Sequence, residues 1–186
     1  LKLIADVGLV GFPNAGKSTL ISSISNARPK IADYPFTTLI PNLGVVKADN
    51  FRSFVVADIP GIIEDAHRGT GLGDRFLKHI QRTAVLAFLV DCSEFNETDP
   101  LKAFNVLLNE LSQFSSDLVE KRRIVLLTKI DAVRQELDIQ ETLNKFKEQG
   151  EEIYPISSVT KKGLDRVVFR LADIVDDHRS NPPEVD

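Results

Sequence analysis

The sequence has one cysteine, Cys92, no methionine, and no apolar run approaching the roughly 20 residues needed to cross a bilayer. A lone cysteine excludes an internal disulfide, and no charged start with a cleavage site marks a signal peptide. The expectation is a reducing, soluble, cytoplasmic setting. A basic excess is missing too: 23 Lys and Arg stand against 27 Asp and Glu, for a net charge of −4. That balance, with a pI near 5.5, excludes general attraction to a nucleic-acid backbone, so any RNA contact needs a local patch or a part outside these residues. Internal repeats and low-complexity tracts are absent as well. The first residue is Leu1, and the chain reads as a piece of a longer protein. What is present is 186 residues, 42% of them hydrophobic, enough for one domain with one sizeable core. A monomer is the default expectation.

Apolar, β-rich runs at Ile4 to Val10, Leu43 to Lys47, Phe54 to Ala57, Val85 to Val90, Ile124 to Leu127 and Ile153 to Ile156 predict six strands. Between most of them, apolar residues three and four apart predict helices over Lys17–Asn26, Asp74–Arg82, Pro100–Phe114, Asp138–Gln149 and Gly163–Asp177. This alternation argues an α/β fold: a mainly parallel sheet of about six strands with helices on both faces. One domain then spans residues 1–179, and the polar, proline-containing stretch 180–186 reads as a linker.

Gly11-Phe12-Pro13-Asn14-Ala15-Gly16-Lys17-Ser18 places two glycines, then Lys and Ser, between a predicted strand and a predicted helix. That context marks a phosphate-binding loop, in which backbone N–H groups and a helix N-terminus converge on phosphate oxygens. Lys17 is the candidate for the β and γ phosphates, and the Ser18 hydroxyl is a candidate Mg²⁺ ligand. By itself the motif says only nucleoside triphosphate.

Asp58-Ile59-Pro60-Gly61 closes a predicted strand, where the aspartate can hold the metal's water shell and the Gly61 N–H can sense a γ-phosphate. Upstream, Tyr34-Pro35-Phe36-Thr37-Thr38-Leu39-Ile40 lies in a long loop, and Thr38, in preference to Thr37, is the candidate to complete the metal shell. Small GTPases carry a water-orienting glutamine immediately after the glycine of this motif; here that residue is Ile62, whose apolar side chain cannot do that work. Two roles stay open for Asn14: its amide oxygen holds a monovalent cation such as K⁺ between the phosphates, in place of an arginine finger, or it tightens the loop through a backbone hydrogen bond.

Thr128-Lys129-Ile130-Asp131 follows the strand Ile124 to Leu127 at the carboxyl edge of the predicted sheet. An ionised Asp131 accepts from the ring N–H and the exocyclic amine of guanine together, an arrangement adenine does not offer. Lys129 can lay its aliphatic stem over the base. Ser157-Ser158-Val159 can present backbone N–H groups to the guanine oxygen, and equally reads as a serine pair capping a helix.

These motifs, and above all Gly69-Thr70-Gly71-Leu72-Gly73-Asp74-Arg75-Phe76-Leu77-Lys78-His79-Ile80-Gln81-Arg82-Thr83, resemble the Obg (CgtA) GTPases over essentially the whole chain. The resemblance implies a phosphate-loop NTPase of the Ras-like G-domain fold and a Mg²⁺-dependent GTPase of slow turnover. It further implies work in large ribosomal subunit assembly and in stringent-response signalling, with GTP, GDP and guanosine tetraphosphate as ligands. Carried over by motif, Gly11 to Ser18, Phe36 to Ile40, Asp58 to Gly61 with Ile59 and Pro60, Thr128 to Asp131 with Ile130, and Ser157 to Val159 surround the nucleotide. Ser18 and Thr38 bind Mg²⁺, and Asn14, Lys17, Thr38 and Gly61 serve hydrolysis. Family members also carry a glycine-rich N-terminal domain, which these residues do not include. Thr128 stands where the family usually has asparagine, so one amide contact, to the base or to the phosphate loop, is altered, and guanine preference with weaker affinity is expected. A nucleotide-gated sensor that scarcely hydrolyses is the rival reading; a phosphate-loop ATPase or kinase fits poorly with Asp131.

Overall fold

The computed structural model describes residues 5–26, 30–31, 41–58, 78 and 80–183. Seven strands form one sheet: β1 (Val7–Gly11), β2 (Lys30–Ile31), β3 (Asn42–Lys47), β4 (Ser53–Asp58), β5 (Val85–Asp91), β6 (Arg123–Thr128) and β7 (Ile153–Pro155). Their order across the sheet is β2-β3-β4-β1-β5-β6-β7. From β4 to β7 every neighbouring pair runs parallel, while β3 lies antiparallel to β4 and β2 to β3. The six expected strands are all present, and the seventh is a two-residue edge strand too short to carry a periodic signal.

The helices are α1 (Lys17–Ile24), α2 (Pro100–Phe114), α3 (Ser116–Glu120), α4 (Ile139–Glu148) and α5 (Leu164–Ser180), with a 3₁₀ turn at Ile130–Ala132. α2 starts where Asp99 accepts a hydrogen bond from the Lys102 N–H and Pro100 occupies the first turn, where its missing donor costs nothing. Asp138 caps α4 in the same way through the Glu141 N–H. The five-residue α3, with Leu118 as its buried residue, was not legible from periodicity. α5 runs three residues past the expected Asp177, so Ser180, expected in the linker, is its last helical residue. Arg122 bridging to Asp177 and Arg179 to Asp6 hold that final turn. Most of the expected helix over Asp74–Arg82 lies outside the described residues.

The central strands are apolar on both faces because both are covered. Leu86, Phe88 and Val90 of β5 and Val125 and Leu127 of β6 join Phe104, Leu107 and Leu111 of α2 and Phe146 of α4 in one core. Their alternating neighbours Val85, Ala87, Leu89, Ile124 and Leu126 meet Leu20 and Ile21 of α1 and Leu171 and Val175 of α5 in the other. Phe104 centres the first core, its ring 5.4 Å from those of Phe88 and Phe146. Cys92 is fully buried, its Sγ 3.1 Å from the Thr128 carbonyl, and burial pushes its thiol up to about 12, which marks a packed residue rather than a reactive one. Among the described residues no helix is long and apolar enough to cross a membrane.

Parallel pairing has one consequence for function. β4, β1, β5 and β6 end on the same edge of the sheet, at Asp58, Gly11, Asp91 and Thr128. The chain leaves β1 for strands on one side and β5 for strands on the other, so the crevice opens where ligands of open α/β sheets bind.

Candidate nucleotide site

The loop from β1 to α1 turns through two left-handed residues, Asn14 (φ 65) and Gly16 (φ 104). Asparagine and glycine tolerate this region better than other residues, which explains them at these positions. The Ala15 N–H closes the turn on the Phe12 carbonyl at 3.1 Å. The Lys17 ammonium donates to the carbonyls of Gly11 (2.8 Å) and Phe12 (3.0 Å), which holds a cation over the loop at the N-terminus of α1. Ser18 Oγ lies 3.3 Å from Asp58 Oδ2, across 40 residues of sequence. Asn14, Gly16, Lys17, Ser18, Thr19, Asp58 and Lys129 line a cavity of about 340 Å³. It combines a helix N-terminus, two ammonium groups and a hydroxyl beside a carboxylate. The first three suit phosphate, and the last pair is a hard oxygen donor set of the kind Mg²⁺ takes.

The base-reading motif sits beside this loop and is bound to it. Thr128, 4% exposed, places its hydroxyl 2.8 Å from the Ala15 carbonyl and 3.3 Å from that of Val90. Of the two contacts open to this position, base or phosphate loop, Thr128 makes the second: buried beneath the loop, it fastens loop backbone to β6. Lys129 adopts a left-handed conformation (φ 62), and its ammonium donates to the Asn14 carbonyl at 2.6 Å and to Asp91 Oδ2 at 2.7 Å. Asp131 is exposed, and its Oδ1 accepts from the Ser157 hydroxyl at 2.6 Å. Ser157, wholly buried, takes the Thr160 N–H on the same oxygen. Its own N–H donates to the Lys162 carbonyl, so Ser157 orients Asp131 with its side chain and is not a backbone donor toward a base. Ser158 is joined to α1 through the Ser23 hydroxyl, and Val159 is 77% exposed.

The structure therefore gathers Gly11 to Ser18, Asp58, Thr128 to Asp131 and Ser157 to Val159 along one sheet edge. Phe36, Thr37, Thr38, Leu39, Ile40, Ile59, Pro60, Gly61 and Ile62 lie outside the described residues. Asp91 was missed in the sequence; its one signal is that it is the first charged residue after the buried run Val85 to Val90.

The Thr128 bond makes a direct prediction. Thr128→Val removes the hydroxyl at nearly constant volume and leaves a buried carbonyl short of a partner, which costs about 1–2 kcal/mol. Melting is expected to fall by about 2–6 °C on that account, with nucleotide affinity reduced severalfold. An unchanged melting temperature in calorimetry would show that the contact contributes nothing.

A phosphate loop, a serine and aspartate side by side at its foot, and a Lys-x-Asp motif bonded to the loop define a phosphate-loop nucleotide-binding domain of the GTPase class. Residues 6–130 match the family model of the 50S ribosome-binding GTPases. GTPase Obg of Solibacter usitatus is 56% identical over 175 residues, covering 94% of this chain and 52% of that protein. GTPase Obg of Aquifex aeolicus is 54% identical over 167 residues, covering 90% and 49%. The chain thus spans about half the length of the curated relatives it matches. Among solved structures, the G domain of the Thermotoga maritima FeoB iron transporter superposes with a TM-score of 0.64 at 22% identity, over 90% of this chain and 96% of that one. The nucleolar GTP-binding protein 1 of Plasmodium falciparum gives 0.66 at 17%, over 94% and 87%; at such identities the likeness is one of fold. The chain belongs to the 50S ribosome-binding GTPase family, and within it to the Obg GTPases, of which it represents the G domain.

Proposed function

We propose that this chain binds GTP together with Mg²⁺, hydrolyses it slowly to GDP and phosphate, and acts as a switch in assembly of the large ribosomal subunit. The observation that carries the proposal is the joining of the phosphate loop to the Lys-x-Asp motif, through Lys129 on Asn14 and Thr128 on Ala15, with the Asp131 carboxylate oriented by Ser157. Lys17 and the α1 N-terminus meet phosphate charge, and Asp131, aimed by Ser157, pairs with the guanine edge. Ser18, with Asp58 behind it and Thr38 from the preceding loop, would hold Mg²⁺. Bound there, the metal supplies positive charge to the β and γ phosphate oxygens. The Gly61 N–H senses the γ-phosphate. Phe36 to Ile40 and Ile59 to Pro60 complete the nucleotide's surroundings.

The slow rate follows from Ile62, which offers no polar atom to the attacking water. The Asn14 side chain is the proposed ligand of a K⁺ that offsets this loss. The ribosomal role rests on the family resemblance and on the name of the matching family, the guanosine tetraphosphate response on the resemblance, and the cytoplasmic setting on the lone cysteine and the lack of a signal pattern.

Single-turnover hydrolysis in potassium against sodium at equal ionic strength, with ATP as control, tests the proposal. GTP is expected to be cleaved faster in potassium by about tenfold or more, a share of what a charge at the phosphates contributes elsewhere, with ATP left intact. Equal rates in both salts would remove the cation from the scheme, and cleavage of ATP at the GTP rate would remove the guanine reading. Ile62 also favours a second reading, a guanine-nucleotide sensor awaiting a ribosomal activator; tight GTP binding without turnover would support it.

A further inference from the structure

We infer that Asp91 is a positioning residue for guanine-nucleotide binding, acting by holding Lys129 against the phosphate loop. The inference rests on the GTP-binding reading above and assigns part of its affinity to a residue outside the phosphate-loop and base-reading motifs. Asp91 is the last residue of β5 and pairs in register with Thr128 of β6, so its Cα is fixed by the sheet. Its carboxylate, 14% exposed, is held from two sides: one oxygen accepts the Ser93 N–H at 2.8 Å, and the other accepts the Lys129 ammonium at 2.7 Å. The Asn96 amide clamps the Asp91 carbonyl at 2.8 Å.

Lys129 needs such an anchor. Its backbone sits in the left-handed region and its long stem has many rotamers to lose, yet its ammonium must stay 2.6 Å from the Asn14 carbonyl. Two charge-assisted bonds on one ammonium fix both the stem, which flanks the base, and the left-handed turn of the loop. Asn14 and Lys129 also form the wall between two cavities. One is the phosphate cavity, and the other, of about 510 Å³, lies on the far side of the loop against Phe12, Pro13, Phe95 and Val106. Without Asp91, Lys129 has no carboxylate partner among the described residues to keep it in that wall. Because the GTP-binding reading assigns the choice of base to Asp131, loss of Asp91 weakens binding without altering that choice.

A double-mutant cycle on the full chain tests this, with fluorescently labelled GDP and competition by inosine diphosphate and ADP. Asp91→Ala is expected to weaken GDP and inosine diphosphate by the same factor, about tenfold, and Asp91→Asn, whose amide oxygen still accepts from Lys129, by about threefold. In a Lys129→Ala background, Asp91→Ala should cost less than about twofold more. Losses that multiply across the cycle, or an unchanged affinity in Asp91→Ala, would overturn the inference. Should Asp91→Ala not fold, the same cycle run with Asp91→Asn decides. Equal binding of ADP and GDP by the unaltered chain would instead overturn the GTP reading, so the two failures are separable.

Discussion

Asp131→Asn is expected to weaken GDP binding about a hundredfold or more while creating affinity for xanthosine diphosphate. The carboxylate offers two acceptors to two guanine N–H groups; the amide offers one acceptor and one donor, which leaves the guanine amine facing an –NH₂. Xanthine carries a carbonyl where guanine carries that amine, and so restores a matched pair. The Ser157 hydroxyl, 2.6 Å from Asp131 Oδ1 and aimed by the Thr160 N–H, favours the variant amide with its oxygen on the Ser157 side. The variant should therefore present a single orientation and a clean exchange of specificity. Competition titration of GDP, xanthosine diphosphate and ADP measures it. GDP binding at the original strength would mean that Asp131 does not read the base.

Lys17→Ala is expected to lower the single-turnover rate by about a hundredfold to a thousandfold, the range found when one preorganised donor is removed from a transition state. The ammonium is held by two loop carbonyls at the N-terminus of α1, so it meets developing phosphate charge without reorganising. The core lies elsewhere, in the two apolar layers around Phe104 and Leu20, and melting should shift by no more than a few degrees. A variant that hydrolyses GTP at the unaltered rate would exclude Lys17 from the chemistry.

Much of this site could be read before any coordinates. Two glycines with four residues between them, then Lys and Ser between strand and helix, make a local device whose geometry the backbone itself dictates, and Asn14 and Gly16 occupy its left-handed positions. The buried strands were legible from β-rich apolar runs, and the layered fold from their alternation with helices. The edge strand β2 and the short α3 were not, since two residues hold a single strand period and five little more than one helical turn, too little for a pattern to repeat.

The role of Thr128 needed the structure. Its chemistry left a contact to the base or to the phosphate loop open, and its position, buried under Ala15, makes it the fastening between β6 and the loop. The same holds for Asp91 and Ser157, whose importance depends wholly on what they touch.

The sequence by itself determined which groups are the candidates for phosphate and which is the candidate for guanine, because those assignments follow from side-chain chemistry and from motifs a few residues long. Only the tertiary structure decided how they are coupled. Lys129 reaches Asn14 across 115 residues and Asp91 across 38, and Ser157 reaches Asp131 across 26. Those meetings exist because β1, β5, β6 and β7 lie side by side and parallel, which brings the ends of separate strands to one edge. Local pattern records what each segment is; the order in which strands pair decides what it stands beside.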